Sequence, residues 1–257
     1  MQIIDGIYHE EFTLQSSDVD SLNAAHPSYY FNVVQEVAGN HAHHIGVSIP
    51  QLHALDKTWV VTRTKMTIFS YAQWPHRIKV TTWPQVPWKF YFPRACTAHT
   101  EEGEPLFESM SQWVVVDIHT QRPVKPDQVI PLFGDHMKEE ILNPNLGRKL
   151  SLPEEQKEMY FEYHTKPLYH HTDFNNHVNN VVYVSWMLDS LPFTFRDSYL
   201  PYEIDISYVA QSFRDDTIVV QSTQVNDDHD IKFIHEVIRS SDNQSLAVAH
   251  TLWKKRP

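Results

Sequence analysis

The chain writes the same order of elements twice, and that repetition limits the folds open to it. After His26, the residues Tyr30, Val34, Val37, His41 and Ile45 recur at intervals of four, three, four and four, the spacing of one helix face. Pro27 suits the first turn of such a helix and Gly46 its end. Residues 58–69, 77–83, 89–99 and 106–119 are then rich in Val, Ile, Thr and aromatic side chains, with Pro, Gly or acidic clusters between them, and read as four antiparallel strands. The order restarts with a short strand at 160–164, a helix around 178–189 stopped by Pro192, and strands near 203–210, 217–225, 231–239 and 246–253. A long helix followed by a meander of strands buries its apolar face most simply when the sheet curls around it.

Between the halves, residues 132–159 are polar and irregular, with Gly134, Pro144, Gly147 and Pro153 among charged neighbours. The expected organisation is therefore a domain over 1–131, a linker over 132–159 and a second domain over 160–257. Two such halves can pair within one chain, so a homodimer is compatible with this organisation but not demanded by it. A looser echo links the helix starts: Asp20, Asn23 and His26 precede the first as Asp173, Asn175 and His177 precede the second, at wider spacing.

Composition removes several classes of function. The 21 Lys and Arg against 32 Asp and Glu leave a net charge of −11, which opposes the phosphate contacts that dominate nucleic-acid binding. No apolar run approaches the roughly 18 residues of a membrane span. The single cysteine, Cys96, excludes a disulfide framework and a Cys-rich zinc site and fits a reducing compartment. No import leader is visible at the N-terminus, and a cytoplasmic protein is expected. The six glycines stand alone, so there is no dinucleotide-binding turn, no P-loop and no serine-hydrolase elbow. Neither His9-Glu10 nor His235-Glu236 continues into a zinc-protease motif.

The stretch from Thr172 to Tyr183 concentrates polarity where the second helix begins. Asp173, Asn175 and His177 occupy alternate positions, so in an extended loop they project to one side, near the N–H groups that open the helix. A carboxylate, an amide and an imidazole beside a partly positive helix end can hydrolyse a carbonyl compound. The carboxylate or the imidazole activates water, while amide and N–H groups hold the developing oxyanion. Taken singly, Asp and Asn before a helix are more often caps and turn formers. It is their conjunction that points to chemistry.

The run from Asp173 to Tyr183 resembles the D-x-N-x-H-V-N-N-x-x-Y signature of acyl-acyl carrier protein thioesterases. The resemblance extends to the first-helix segment from Gln35 to Ala42 and to Trp59-Val60-Val61-Thr62-Arg63 in the strand after it. It implies an α+β fold of two tandem hotdog domains, each a long helix wrapped by an antiparallel β-sheet, with the acyl-chain pocket in the first. It also implies hydrolysis of the thioester between a fatty acyl chain and the phosphopantetheine arm of acyl carrier protein, without cofactor or metal. Asp173, Asn175 and His177 map onto catalytic positions, with either Asp173 or His177 as the base. Where plant relatives carry Glu and then Cys, this chain has Gln211 and Ser212; the Gln211 amide can still orient water. One alternative is an acyl-CoA thioesterase of the same fold; another, motivated by the missing Glu at Gln211, is a non-catalytic acyl-thioester binding protein.

The seventeen histidines, including His41, His43, His44, His170 and His171, read as surface or core residues rather than metal ligands. Trp83, Trp88, Phe90, Tyr91, Phe92 and Trp113 read as core, some of them lining an acyl tunnel. An acidic carrier needs a basic patch to dock on, for which Arg63 with Lys65, Lys89 with Arg94, and Lys254-Lys255-Arg256 are candidates.

Overall fold

The computed structural model describes residues 1–139, 146, 150–152, 159–226 and 231–257, which form two compact units, Met1–Gly147 and Arg148–Pro257. Much of the expected linker lies outside the described residues. The N-terminal unit runs β1 (Gln2–Ile4), β2 (Ile7–Thr13), α1 (Pro27–His44), α2 (Ile49–His53), β3 (Lys57–Ile68), β4 (Arg77–Pro84), β5 (Phe92–Thr100) and β6 (Pro105–Asp117). Its strands lie in the order β1-β2-β4-β5-β6-β3, each neighbouring pair antiparallel. The C-terminal unit runs β7 (Met159–Thr165), α3 (Asn180–Asp189), α4 (Phe193–Arg196), β8 (Tyr199–Tyr208), β9 (Ile218–Asn226), β10 (Ile231–Arg239) and β11 (Gln244–Lys255). Here the order is β8-β11-β10-β9-β7, again antiparallel throughout.

Each unit sets one long helix against one sheet, the α+β arrangement that the repeat predicts. α1 lies on β2 and β4, and α3 on β7, β9 and β10. The predicted stripe on α1 is the buried one: Tyr30, Val34, Val37 and His41 are inaccessible or nearly so. The helix ends as Gly46 foretells. Gly46 takes φ +83°, its N–H donates to His43 O, and the Val47 N–H donates to Ala42 O at 2.8 Å. That double closure satisfies carbonyls the helix would leave orphaned.

Several boundaries differ from the sequence reading for local reasons. The hairpin β1–β2 was not foreseen, although Asp5-Gly6, with φ +48° and +73°, is the two-residue signal for it. β5 starts at Phe92 rather than at 89, because Lys89 sits at φ +55° in a turn closed by mutual bonds between Trp88 and Tyr91. β8 runs Tyr199–Tyr208 rather than 203–210, and Gln211 and Ser212 lie in the loop that follows.

Candidate active site

α3 begins at Asn180, with Asn179 as its cap; the Asn179 side chain accepts the Val181 N–H at 2.9 Å. The polar cluster therefore occupies a loop before the helix. Asp173 builds that loop. Its Oδ1 accepts the N–H of Asn175 at 2.8 Å and of His177 at 3.2 Å, its own N–H donates to His177 O, and its carbonyl accepts the Asn176 N–H. Asn176 takes φ +62°, a conformation Asn tolerates well. Thr172 and Val178 then pair as an antiparallel bridge.

Alternation holds. Asp173, Asn175 and His177 are half-buried, whereas Phe174, 91% exposed, and Asn176 face solvent. Burial lowers the pKa of His177, and the nearby Asp173 charge opposes that shift only in part. The imidazole is therefore neutral at pH 7 and available as a base. Its ring meets Phe213 edge-on, with centroids 5.1 Å apart.

A second segment is fixed against this loop. The Val178 N–H donates to Ser212 O at 2.9 Å, which brings Gln211 alongside. Asp216 Oδ2 accepts from Ser212 Oγ and from the Phe213 N–H, and Arg239 donates to the Gln211 carbonyl. Arg239 and Asp216 are also ion-paired at 3.7 Å. Ser212 is fully buried and bound to Asp216, a poor position for a nucleophile. Cys96 is buried as well, its thiol pKa pushed up by burial. Sequence reasoning missed Phe213, Asp216 and Arg239, because no local pattern relates Arg239 to a loop 28 residues earlier.

The backbone N–H groups nearest the cluster are largely committed. Those of Asn175, His177, Val178, Asn179, Val181 and Val182 each have a partner within the fold.

The echo at the first helix is structural, in a register other than the expected one. Asp20 Oδ1 accepts the N–H of Leu22 at 2.9 Å and of Ala24 at 3.0 Å; the Asp20 N–H donates to Ala24 O, and Asn23 takes φ +61°. Val19 and Ala25 form the bridge. Asn23 therefore matches Asn176, while Leu22 and Ala24 stand where the second loop has Asn175 and His177.

Among the described residues, no group of three or more His, Cys, Asp or Glu side chains could hold a metal ion, and no helix is long and apolar enough to cross a membrane. Arg63 and Arg94 are buried, which removes both from the docking candidates. Lys89, Lys254 and Lys255 are exposed.

Two halves, each with one helix against an antiparallel sheet, define a tandem hotdog protein. Residues 5–131 match the model of the acyl-ACP thioesterase N-terminal domain and residues 154–255 that of the C-terminal domain. The chain belongs to the acyl-acyl carrier protein thioesterase family. It is 27% identical to oleoyl-acyl carrier protein thioesterase 1, chloroplastic, of Arabidopsis thaliana, over 98% of this chain and 78% of that one. It is 25% identical to a palmitoyl-acyl carrier protein thioesterase of Gossypium hirsutum, spanning 64% of that protein's length. Its fold matches the 12:0-ACP thioesterase from Umbellularia californica with a TM-score of 0.87 at 21% identity, covering 98% of this chain and 95% of that one. An acyl-ACP thioesterase from Bacteroides thetaiotaomicron gives 0.82 at 20%, over 97% and 98%.

Proposed function

We propose that the chain hydrolyses the thioester of fatty acyl-acyl carrier protein in the cytoplasm, releasing free fatty acid and ending chain elongation. The observation that carries the site assignment is the pair of matching loops. Asp20 and Asp173 fold the backbone identically, and only the second loop adds an amide and an imidazole, at Asn175 and His177. Neutral His177 takes a proton from water as the water attacks the acyl carbonyl, and the imidazolium returns it to the sulfur as the tetrahedral intermediate collapses and the C–S bond breaks, releasing the carrier thiol. The Asn175 amide holds the oxygen on which charge develops. Asp173 fixes the loop and favours the imidazolium that forms, and Gln211 orients the water. The N-terminal domain, over 1–131, receives the acyl chain.

Free fatty acid release from a panel of acyl carrier substrates tests this reading. His177→Ala and Asn175→Ala are each expected to lose about 10²–10⁴-fold in rate while remaining folded. Equal or faster turnover of the matching acyl-CoA would instead assign the substrate to coenzyme A thioesters. Binding of acyl carriers without release of acid would make the chain a binding protein.

A further inference from the structure

Three segments of the C-terminal unit meet at the Asp173 loop, and each turns large apolar side chains to solvent. Leu168 and Tyr169 begin a short helical turn, Tyr169–His171; Phe174 stands on the loop itself, and Phe213 follows Ser212. Tyr169 is 96% exposed and Phe174 91%, while Leu168 and Phe213 are close to half exposed. Hydrogen bonds tie the segments together: the Asn179 N–H donates to His171 O at 2.8 Å, Thr172 Oγ1 donates to Tyr169 O at 2.9 Å, and the Val178 N–H donates to Ser212 O. An imidazole closes the turn a second time, since the Leu168 N–H donates to His171 Nδ1 at 3.1 Å. Where Phe213 meets the His177 ring, this apolar rim reaches the proposed chemistry.

Apolar side chains held in water are unfavourable, and a contiguous exposed group of them marks a contact surface. Aromatic residues on a hydrogen-bonded frame lose little conformational freedom when covered, which suits them as interface anchors. The family says what covers them. The substrate of an acyl-acyl carrier protein thioesterase is tethered to a second protein by its phosphopantetheine arm, so the carrier must rest on the surface around the reacting groups. Charge supplies little attraction there. The chain brings a net −11 to an acidic carrier. Beside Phe213 the exposed Arg214 and Asp215 lie 3.9 Å apart and offset each other, and Lys166, two residues before Leu168, adds one exposed cation.

We propose that Leu168, Tyr169, Phe174 and Phe213 form the docking surface for acyl carrier protein, which they hold by apolar contact in place of a basic patch. Tyr169 and Phe174, the two most exposed, are its anchors. The assignment rests on the reading that places the site at Asn175 and His177.

The test compares octanoyl-acyl carrier protein with octanoyl-pantetheine, the same thioester without the carrier, on the full chain. Tyr169→Gln and Phe174→Gln are each expected to lower the ratio of kcat/KM for the first substrate to that for the second about tenfold, the loss typical of an interface anchor. Phe193→Gln removes a similarly open ring on α4, beyond the other end of α3, and should leave the ratio unchanged. Raising ionic strength about tenfold should not raise KM for the carrier substrate, because salt screens charge attraction and not apolar contact. Ratios that neither glutamine variant moves overturn the docking surface. A KM that climbs with salt and rises again in Lys254→Glu also overturns it and returns docking to the basic tail, and a dimer that Phe174→Gln dissociates gives the rim to a second copy of the chain instead. Affinity for the carrier, measured by calorimetry, judges the surface separately: a wild type that binds the carrier without releasing acid from either thioester refutes the hydrolase reading, while a tenfold loss of affinity in the two variants, or its absence, still decides the docking surface.

Discussion

Asp20 and Asp173 close the same loop: each carboxylate accepts the N–H groups of the residues two and four positions further on. In the proposed reading one loop serves the fold alone, and the other serves the fold and the chemistry. Asp20→Ala is therefore expected to lower stability by about 1–2 kcal/mol, as for a lost cap, with kcat unchanged. Asp173→Ala should lose both stability and rate. Asp173→Asn keeps an acceptor for the two N–H groups, so melting near the wild-type temperature with reduced kcat would separate the two roles. A drop in kcat for Asp20→Ala as large as that for Asp173→Ala would contradict them.

His177 reports its surroundings through the pH profile. Burial lowers its pKa, so the neutral, reactive form persists to a pH below the usual histidine range. The rate should fall only as pH drops through that lowered value. Phe213→Ala admits water to the ring and is expected to move the acid limb upward, towards the ordinary value near 6.5. Asp173→Asn removes the charge that favours imidazolium and should move the limb further down. Opposite shifts in the two variants check the assignment; identical profiles refute it.

Stability against pH is expected to depend on His235, a fully buried residue of β10 whose Nδ1 lies 2.6 Å from Ser222 Oγ and whose Nε2 lies 2.8 Å from Thr251 Oγ1. Burial lowers its pKa to about 3. An unfolded histidine takes a proton near 6.5. The contribution of the neutral ring is thus complete above that pH and is lost progressively as pH falls towards about 3, because only the unfolded chain binds the proton. His41, also held at about 3, adds the same slope. His235→Leu should cost about 1–3 kcal/mol at pH 7 yet lose less on acidification to pH 5, as read by calorimetry. Parallel pH dependences in variant and wild type would exclude His235 as the source.

Gly6 tests the hairpin. At φ +73° an added Cβ would stand 3.1 Å from His136 Cα, whereas at Gly103, φ +96°, it would meet nothing within 4 Å. Gly6→Ala is expected to lose on the order of 1–3 kcal/mol, more than Gly103→Ala, where backbone strain acts alone. Equal melting temperatures would show that the segment around His136 gives way.

Much of this was legible in the sequence wherever the signal is local and periodic. The stripe from Tyr30 to His41, the Gly46 stop and the alternation from Asp173 to His177 each follow from a repeat of the backbone itself. The repeat of the loop was visible but misaligned: Asn23 and His26 are the conspicuous polar residues, whereas the matching is set by hydrogen bonds to Asp20 and by the positive φ of Asn23. Long-range pairings were not legible. Arg239 and Asp216 hold the Gln211 loop across distant sequence, and Arg94 looked like a surface charge because its burial depends on the strands either side of it.

The loop at Asp173 is held by its own hydrogen bonds and turns every second side chain away from the proposed site. Drift at its outward positions is therefore unequal. Phe174, open to solvent, can be exchanged for almost any residue, so whatever meets this surface can change over generations without disturbing Asn175 or His177. Asn176 has no such freedom, because its left-handed backbone admits little beyond Asn, Asp and Gly. Between Asp173 and Asn175, both held in the loop's hydrogen bonds, the backbone thus leaves one position at which a change of side chain alters only the outer surface.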